Sequence, residues 1–307
     1  MKHVIITICI IISNTLFSQE NYNIQDISIN QHIDGTLLLP NEMETYPLAI
    51  IVAGAGPTDR NGNQNFMQNN SLKKLAEGLS NNGIATFRYD KRIVKQIRQG
   101  NVSSNIMFDD FVTDAISTLK FFKSKTNFSS IYIIGHSQGS LVGMLCAKEG
   151  VSGFISLAGA GKPIDEVILD QINATAPMFN EDAKKAFNII RSGETTTDFP
   201  LALSSIFSID IQPFMSNWMQ YNPQSIIQTL EIPVLIINGT KDIQVSTDEA
   251  DLLHIAKKDS QLVIINNMNH ILVPIDGDRL ENSKSYNEPH RTLSVELIDK
   301  ITSFIKQ

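Results

Sequence analysis

Short apolar runs alternate along the chain with stretches whose apolar residues recur at helical spacing. Residues 24–29 and 33–39 flank Asn30-Gln31 and predict an N-terminal β-hairpin. Residues 47–53 (PLAIIVA), 84–89, 131–134, 153–157, 233–237 and 261–265 are near-continuous apolar runs of strand length. Helices are predicted over 66–81, closed by Asn81-Asn82-Gly83, and over 108–123, where Phe111, Ala115, Leu119 and Phe122 share a face. Further helices are predicted over 140–148, 247–258 and 293–305. Strands apolar on both sides and separated by helices predict an α/β fold, a mostly parallel sheet with helices on both faces.

The rhythm breaks over 160–231, which holds no convincing buried strand. It carries Trp218 together with Met178, Phe179, Phe187, Phe199, Phe207, Phe214, Met215 and Met219. This predicts a largely helical insertion over one end of a core made of 19–159 and 232–307, most of its large side chains forming a satellite core and a few lining a pocket. At the N-terminus, Lys2 precedes an apolar run, Val4 to Ile12, too short to span a bilayer. Ser18 offers a cleavage point, so 1–18 reads as a signal peptide and the protein as secreted or periplasmic, with no stable membrane insertion after cleavage. Cys9 falls in that leader. Cys146, alone in the mature chain, lies in an apolar helical stretch and reads as a buried structural thiol.

Composition narrows the function. With 42% apolar and 19% charged residues the chain is an ordinary globular protein, not a disordered one. A net charge of −7 lacks the basic footprint that binding nucleic acid requires. Gly54-Ala55-Gly56 follows a strand but has Asp59 where a dinucleotide fingerprint needs glycine, and Gly159-Ala160-Gly161-Lys162 is not a phosphate loop, because Ser156 precedes it and Pro163 follows. No His/Cys grouping has metal-ligand spacing. The expected partner is a small molecule, with no cofactor and no metal; the oligomeric state stays open.

The chemistry-bearing signal is Gly135-His136-Ser137-Gln138-Gly139, between a predicted strand and a predicted helix. There the serine sits on a sharp turn that demands tiny neighbours, and the N–H of Gln138 points where an oxyanion would form. A serine hydroxyl needs a base. Among six histidines, His270 in the polar loop after the strand 261–265 is the favoured base and His290 the alternative; His136 is expected to leave the turn in another direction, and His254 to pack. The base needs a carboxylate. Asp242 follows the strand 233–237 directly and lies 28 residues before His270, one helix and one strand, which returns both to the same sheet edge. Asp248 is better placed than Asp242 for a helix-entry role, and Asp276 and Asp210 are weaker candidates for the acid. The small-residue loop from Ala53 should supply the second oxyanion donor, nominated as the N–H of Ala55, with Gly54 and Gly56 behind it; Pro57 has none.

AGAGPTDRNGN at 53–63, RYDKR at 88–92, GHSQGS at 135–140, SLAGAGKPIDEV at 156–167, IPVLIINGTKDIQV at 232–245 and NMNH at 267–270 resemble the α/β-hydrolase superfamily, in particular its bacterial carboxylesterase and serine aminopeptidase-like branch. The order Ser137, Asp242, His270 matches the order of nucleophile, acid and base in that superfamily. The resemblance implies an α/β-hydrolase fold with a helical cap at 160–231, and Ser137, Asp242 and His270 as a catalytic triad. It implies hydrolysis of a small-molecule ester, with short acyl chains expected. A peptidase, a thioesterase or a binding protein that has lost turnover are the alternatives. For a peptidase, Asp165, Glu166, Glu181 and Asp182 could hold a substrate amine. Many relatives have His-Gly where this chain has Ala53-Gly54, and a glycine where it has Ile93.

Overall fold

The computed structural model describes residues 21–41, 44–103 and 105–307; the predicted leader lies outside them. Eight strands form one sheet: β1 Tyr22–Asn30, β2 Ile33–Pro40, β3 Tyr46–Val52, β4 Ala85–Tyr89, β5 Phe128–His136, β6 Gly153–Leu157, β7 Val234–Gly239 and β8 Gln261–Ile265. The spatial order is β1-β2-β4-β3-β5-β6-β7-β8. β1 pairs antiparallel with β2, and β2 with β4; every later pairing is parallel.

The continuous apolar strands are explained by burial on both sides. Along β3, Leu48, Ile50 and Val52 face one core, while Ala49, Ile51 and then Ala53 face the other. In β7, Val234 and Ile236 oppose Leu235 and Ile237 in the same way. The first core is closed by helices α3 Phe108–Lys123, α4 Gln138–Ala147 and α10 Thr247–Ala256. The second is closed by α1 Ser71–Asn81 and α12 Val295–Ile305. α4 is buried nearly all round, which is why its sequence lacks a polar face.

The remaining helices are α2 Arg92–Arg98, α11 Arg279–Ser285 and, within the insertion, α5 Ile164–Thr175, α6 Asn180–Arg191, α7 Ser204–Phe207, α8 Gln212–Trp218 and α9 Pro223–Ile227. Phe187, Phe207, Met215 and Met219 make a separate small core within the insertion. Trp218 packs against that core and also stacks on Phe108 of α3, ring centroids 5.6 Å apart and planes 5° from parallel. Nearby, Tyr221 Oη and Asn217 Nδ2 donate to the Asp109 carboxylate, tying the insertion to the core.

Two predicted boundaries move. The helix expected from 66 begins at Ser71, because Asn70 sits in the left-handed region at φ 56° and the Asn63 side chain takes the N–H groups of Asn69 and Asn70. The helix expected from 140 starts at Gln138, directly on the turn that holds Ser137. No helix among the described residues is long and apolar enough to cross a membrane. Cys146 is buried, and burial pushes its thiol up to about 12.

Candidate active site

The parallel strands β4, β3, β5, β7 and β8 all release their chains at one sheet edge, and the residues that follow them meet there: Lys91, Ala55, Ser137, Asp242 and His270. Ligand crevices of open α/β sheets lie at this carboxyl edge. Ser137 occupies the strained turn that the motif predicts, at φ 54° and ψ −122°. Contact explains the flanking glycines. A Cβ on Gly135 would lie 2.2 Å from the Gly139 carbonyl oxygen, and one on Gly139 would lie 2.3 Å from that of Val52. The turn is pinned on both sides, since the Ser137 N–H donates to Leu157 O at 2.9 Å and its carbonyl accepts from the Ser140 N–H at 2.9 Å. Gln138 opens α4, so its N–H has no intrahelical acceptor and stands at the positive end of the helix.

Asp242 and His270 meet. His270 Nδ1 lies 2.8 Å from Asp242 Oδ2, with 5% and 0% of the two side chains exposed. The other carboxylate oxygen accepts the N–H groups of Gln244 and Val245 at 2.8 and 2.9 Å, so the acid cannot rotate away. The asparagine-rich loop before the histidine is held by its own side chains. Buried Asn269 donates to Asn282 Oδ1 and Ser285 Oγ of α11, each at 2.9 Å, and accepts from Val273 N–H. Ser137 and His270 line one small cavity of about 80 Å³, with Ala55 and His136.

The Ala55 loop is equally fixed. Ala55 O accepts from Thr58 Oγ1 at 2.7 Å and from Gln64 Nε2 at 2.9 Å, and Gly56 turns the chain at φ 79°. On the cap side of Ser137 a second cavity of about 250 Å³ runs between Ala55, Ser137 and Gln138 and a wall of Leu141, Ile164, Val167, Ile168, Trp218 and Pro223. A polar hollow of about 870 Å³ opens beyond it, between α5 and the Asp242 loop. The two share the wall made by Gln171, Gln244 and Val245, where Gln171 Nε2 donates to Gln244 O at 2.9 Å.

The alternatives lie elsewhere. His290, Asp276 and Asp210 are exposed, and His254 is bonded through Nδ1 to Ser260 Oγ. Asp248 sits in the first turn of α10 and faces the polar hollow. Asp165 pairs with Arg191, Glu181 with Lys184 and Asp182 with Lys185, and none of these acids, nor Glu166, lines either cavity beside Ser137.

Two residues escaped the sequence reading. His136 does not leave the site. Its ring lies 4.9 Å from that of His270, and its Nε2–H donates to the His270 carbonyl at 2.7 Å. Burial, then the neighbouring His270, lower its pKa to about 4, so it is neutral. Lys91, just past β4, reaches in behind the serine turn. Its signal was a lysine at the carboxyl end of a fully buried strand, within the quoted RYDKR.

No family model matches the chain. Esterase EstD of Thermotoga maritima is 24% identical over 267 residues; the match covers 84% of this chain and 62% of the length of that curated relative. Among solved structures, Est1E from Butyrivibrio proteoclasticus aligns over 92% of this chain and 99% of its own, at TM-score 0.57 and 17% identity. An esterase from Pyrococcus furiosus aligns over 93% and 90%, at TM-score 0.55 and 14% identity. An α/β serine hydrolase homologue from Coxiella burnetii aligns over 92% and 96%, at TM-score 0.53 and 15% identity. With its strand order and its serine turn between β5 and α4, the chain has the α/β-hydrolase fold, which it shares with these esterases and serine hydrolases.

Proposed function

We propose that this protein is a serine hydrolase that cleaves small carboxylic esters through an acyl-enzyme intermediate. The observation that carries the reading is the buried Asp242–His270 pair, 2.8 Å apart, whose imidazole lines the same cavity as the strained Ser137. His270 takes the Ser137 proton as Oγ attacks the acyl carbonyl. The N–H groups of Gln138 and Ala55 receive the oxyanion, each donor contributing roughly 3 kcal/mol to the barrier reduction. His270 then hands the proton to the leaving alcohol. The alcohol departs, leaving the acyl group on Ser137, and His270 activates water to release it. Asp242 stays ionised, fixes the tautomer with the proton on Nδ1 and stabilises the imidazolium.

The acyl group fits the 250 Å³ cavity, whose mostly apolar lining includes Leu141, Trp218 and Pro223. A volume of that size favours short acyl chains. The peptidase alternative loses support, since the acids proposed to hold an amine are paired with cap lysines and arginine or lie off the cavities. The test is p-nitrophenyl butyrate turnover with fluorophosphonate labelling, in wild type and Ser137→Ala. Wild type should turn over and take the label on Ser137, and the variant should do neither. Full activity in the purified variant would remove Ser137 as nucleophile. An acyl-length series completes the test, and an optimum at long chains would reverse the size argument.

A further inference from the structure

We infer that Lys91 is a positioning residue for the oxyanion hole, bracing both backbone donors from behind through one buried amine; the inference rests on the serine-hydrolase reading above. Lys91 is 6% exposed and approaches the site from the end of β4, next to β3, which leads to Ala55, with β5 and Ser137 one strand further on. Its Nζ donates to Gly54 O at 3.0 Å and to Gln138 Oε1 at 2.8 Å, and it stands 4.1 Å from the centroid of the Phe111 ring. A lysine amine keeps two N–H bonds even when neutral, and here two face carbonyl oxygens with an aromatic ring beside the nitrogen.

The two carbonyl partners are not arbitrary. Gly54 C=O and Ala55 N–H belong to one trans peptide unit, so they point in opposite directions. Holding the carbonyl on Lys91 therefore aims the Ala55 N–H away from Lys91, and Ala55 lines both cavities that contain Ser137. The same bond polarises the amide and strengthens its N–H as a donor. Gln138 carries the other donor, and its side chain is tied to the same nitrogen. The loop and the turn also touch, since a Cβ on Gly54 would lie 3.2 Å from Ser137 Cβ. One amine thus sets the spacing between the two N–H groups.

The neighbouring charges are committed elsewhere. Asp90 is bonded by Arg60 and Arg98, and Arg92 by Asp110 and Asp114 of α3. Among the described residues no carboxylate pairs with Lys91, and burial alone lowers its pKa to about 7. A surface anchor or a structural ion pair would show neither feature. A buried lysine with two carbonyl partners, both attached to the proposed oxyanion donors, is costly unless its position matters.

The test compares wild type, Lys91→Met and Gln138→Leu with p-nitrophenyl butyrate and with a butyl boronic acid, whose tetrahedral adduct on serine resembles the anionic intermediate. Lys91→Met should lower kcat about 10- to 100-fold with KM changed less than threefold, below the cost of deleting a donor outright. The boronate Ki should rise by the same factor as kcat/KM falls, while inhibition by butyrate, the planar product, should not change. Gln138→Leu keeps the backbone N–H and removes one tie, so it should lose less. The double variant should be no worse than Lys91→Met, because both act on one element. Folded Lys91→Met with kcat/KM and boronate Ki within twofold of wild type would overturn the inference, and so would a loss of kcat with unchanged boronate affinity. If Lys91→Met does not fold, an unaltered boronate Ki in Gln138→Leu overturns it alone. A wild type that neither hydrolyses the ester nor takes fluorophosphonate would remove the serine-hydrolase reading itself, a different failure from an active wild type with an indifferent Lys91.

Discussion

Burying Lys91 should leave a signature in stability that is separate from catalysis. Its pKa falls from 10.5 to about 7 through burial. At about 1.4 kcal/mol per unit, that shift corresponds to roughly 5 kcal/mol between the protonated and neutral forms in the folded state. The sign follows from proton counting. Between about pH 7 and 10.5 the unfolded chain keeps the proton that the folded chain has lost, so stability rises with pH across that window. Below about pH 7 both states are protonated and the full desolvation cost is present. Lys91→Met removes this dependence and nothing else that titrates. Its own offset is pH-independent, since it leaves the Gly54 and Gln138 carbonyls without the amine, which costs roughly 1–3 kcal/mol per unsatisfied group. Urea unfolding at pH 6.5, 7.5, 8.5 and 9.5 on both proteins isolates the effect, because other titrating groups cancel in the difference. Wild type should gain about 3 kcal/mol relative to the variant between pH 7 and 9.5. Two curves that stay parallel within about 0.5 kcal/mol would refute the burial argument.

Other consequences are as concrete. Asp242→Asn should lower kcat about 10³- to 10⁴-fold without unfolding the protein, because the amide oxygen can still accept from Gln244 and Val245 while the NH₂ opposes His270 Nδ1; kinetics with circular dichroism checks both halves. His136→Phe should reduce kcat several-fold by releasing the His270 carbonyl. It should also abolish a stability loss that wild type shows as pH falls from about 6.5 to about 4, where the unfolded chain protonates and the folded His136 does not; acid unfolding curves read that window. Trp218→Ala opens the far wall of the 250 Å³ cavity, so the acyl-length optimum in an ester series should move to longer chains.

Much of the fold was legible because burial on both faces writes itself as unbroken apolar strands. PLAIIVA and PVLII could hardly be anything else once helices separated them. The serine turn was legible for a different reason, since a Cβ on Gly135 or Gly139 would fall 2.2 or 2.3 Å from a backbone oxygen. Asp242 and His270 were recoverable from position just past strands. What stayed hidden was side-chain direction. His136 looked like a bystander because a turn residue's rotamer cannot be read from its neighbours, and its partner is a carbonyl 134 residues away. Lys91 resembled any surface lysine in an RYDKR segment until the depth of β4 became known. α11 went unread because it is short and lacks an apolar stripe, although its Asn282 and Ser285 hold the loop before His270.

In the proposed mechanism, these supports place the wall of the 250 Å³ cavity next to the Asp242–His270 pair. Gln244 and Val245 donate the two N–H groups that fix Asp242, and the same residues form part of the wall of the acyl cavity. Gln171 of the cap bonds to the Gln244 carbonyl, so α5 bears directly on the acid loop. A substrate that presses on this wall presses on the segment that orients the carboxylate. The insertion meets the core at Asp109 and the Asp242 loop at Gln244, and Asp242 in turn meets His270. The insertion and the Asp242–His270 pair are thus connected through residues 242–245.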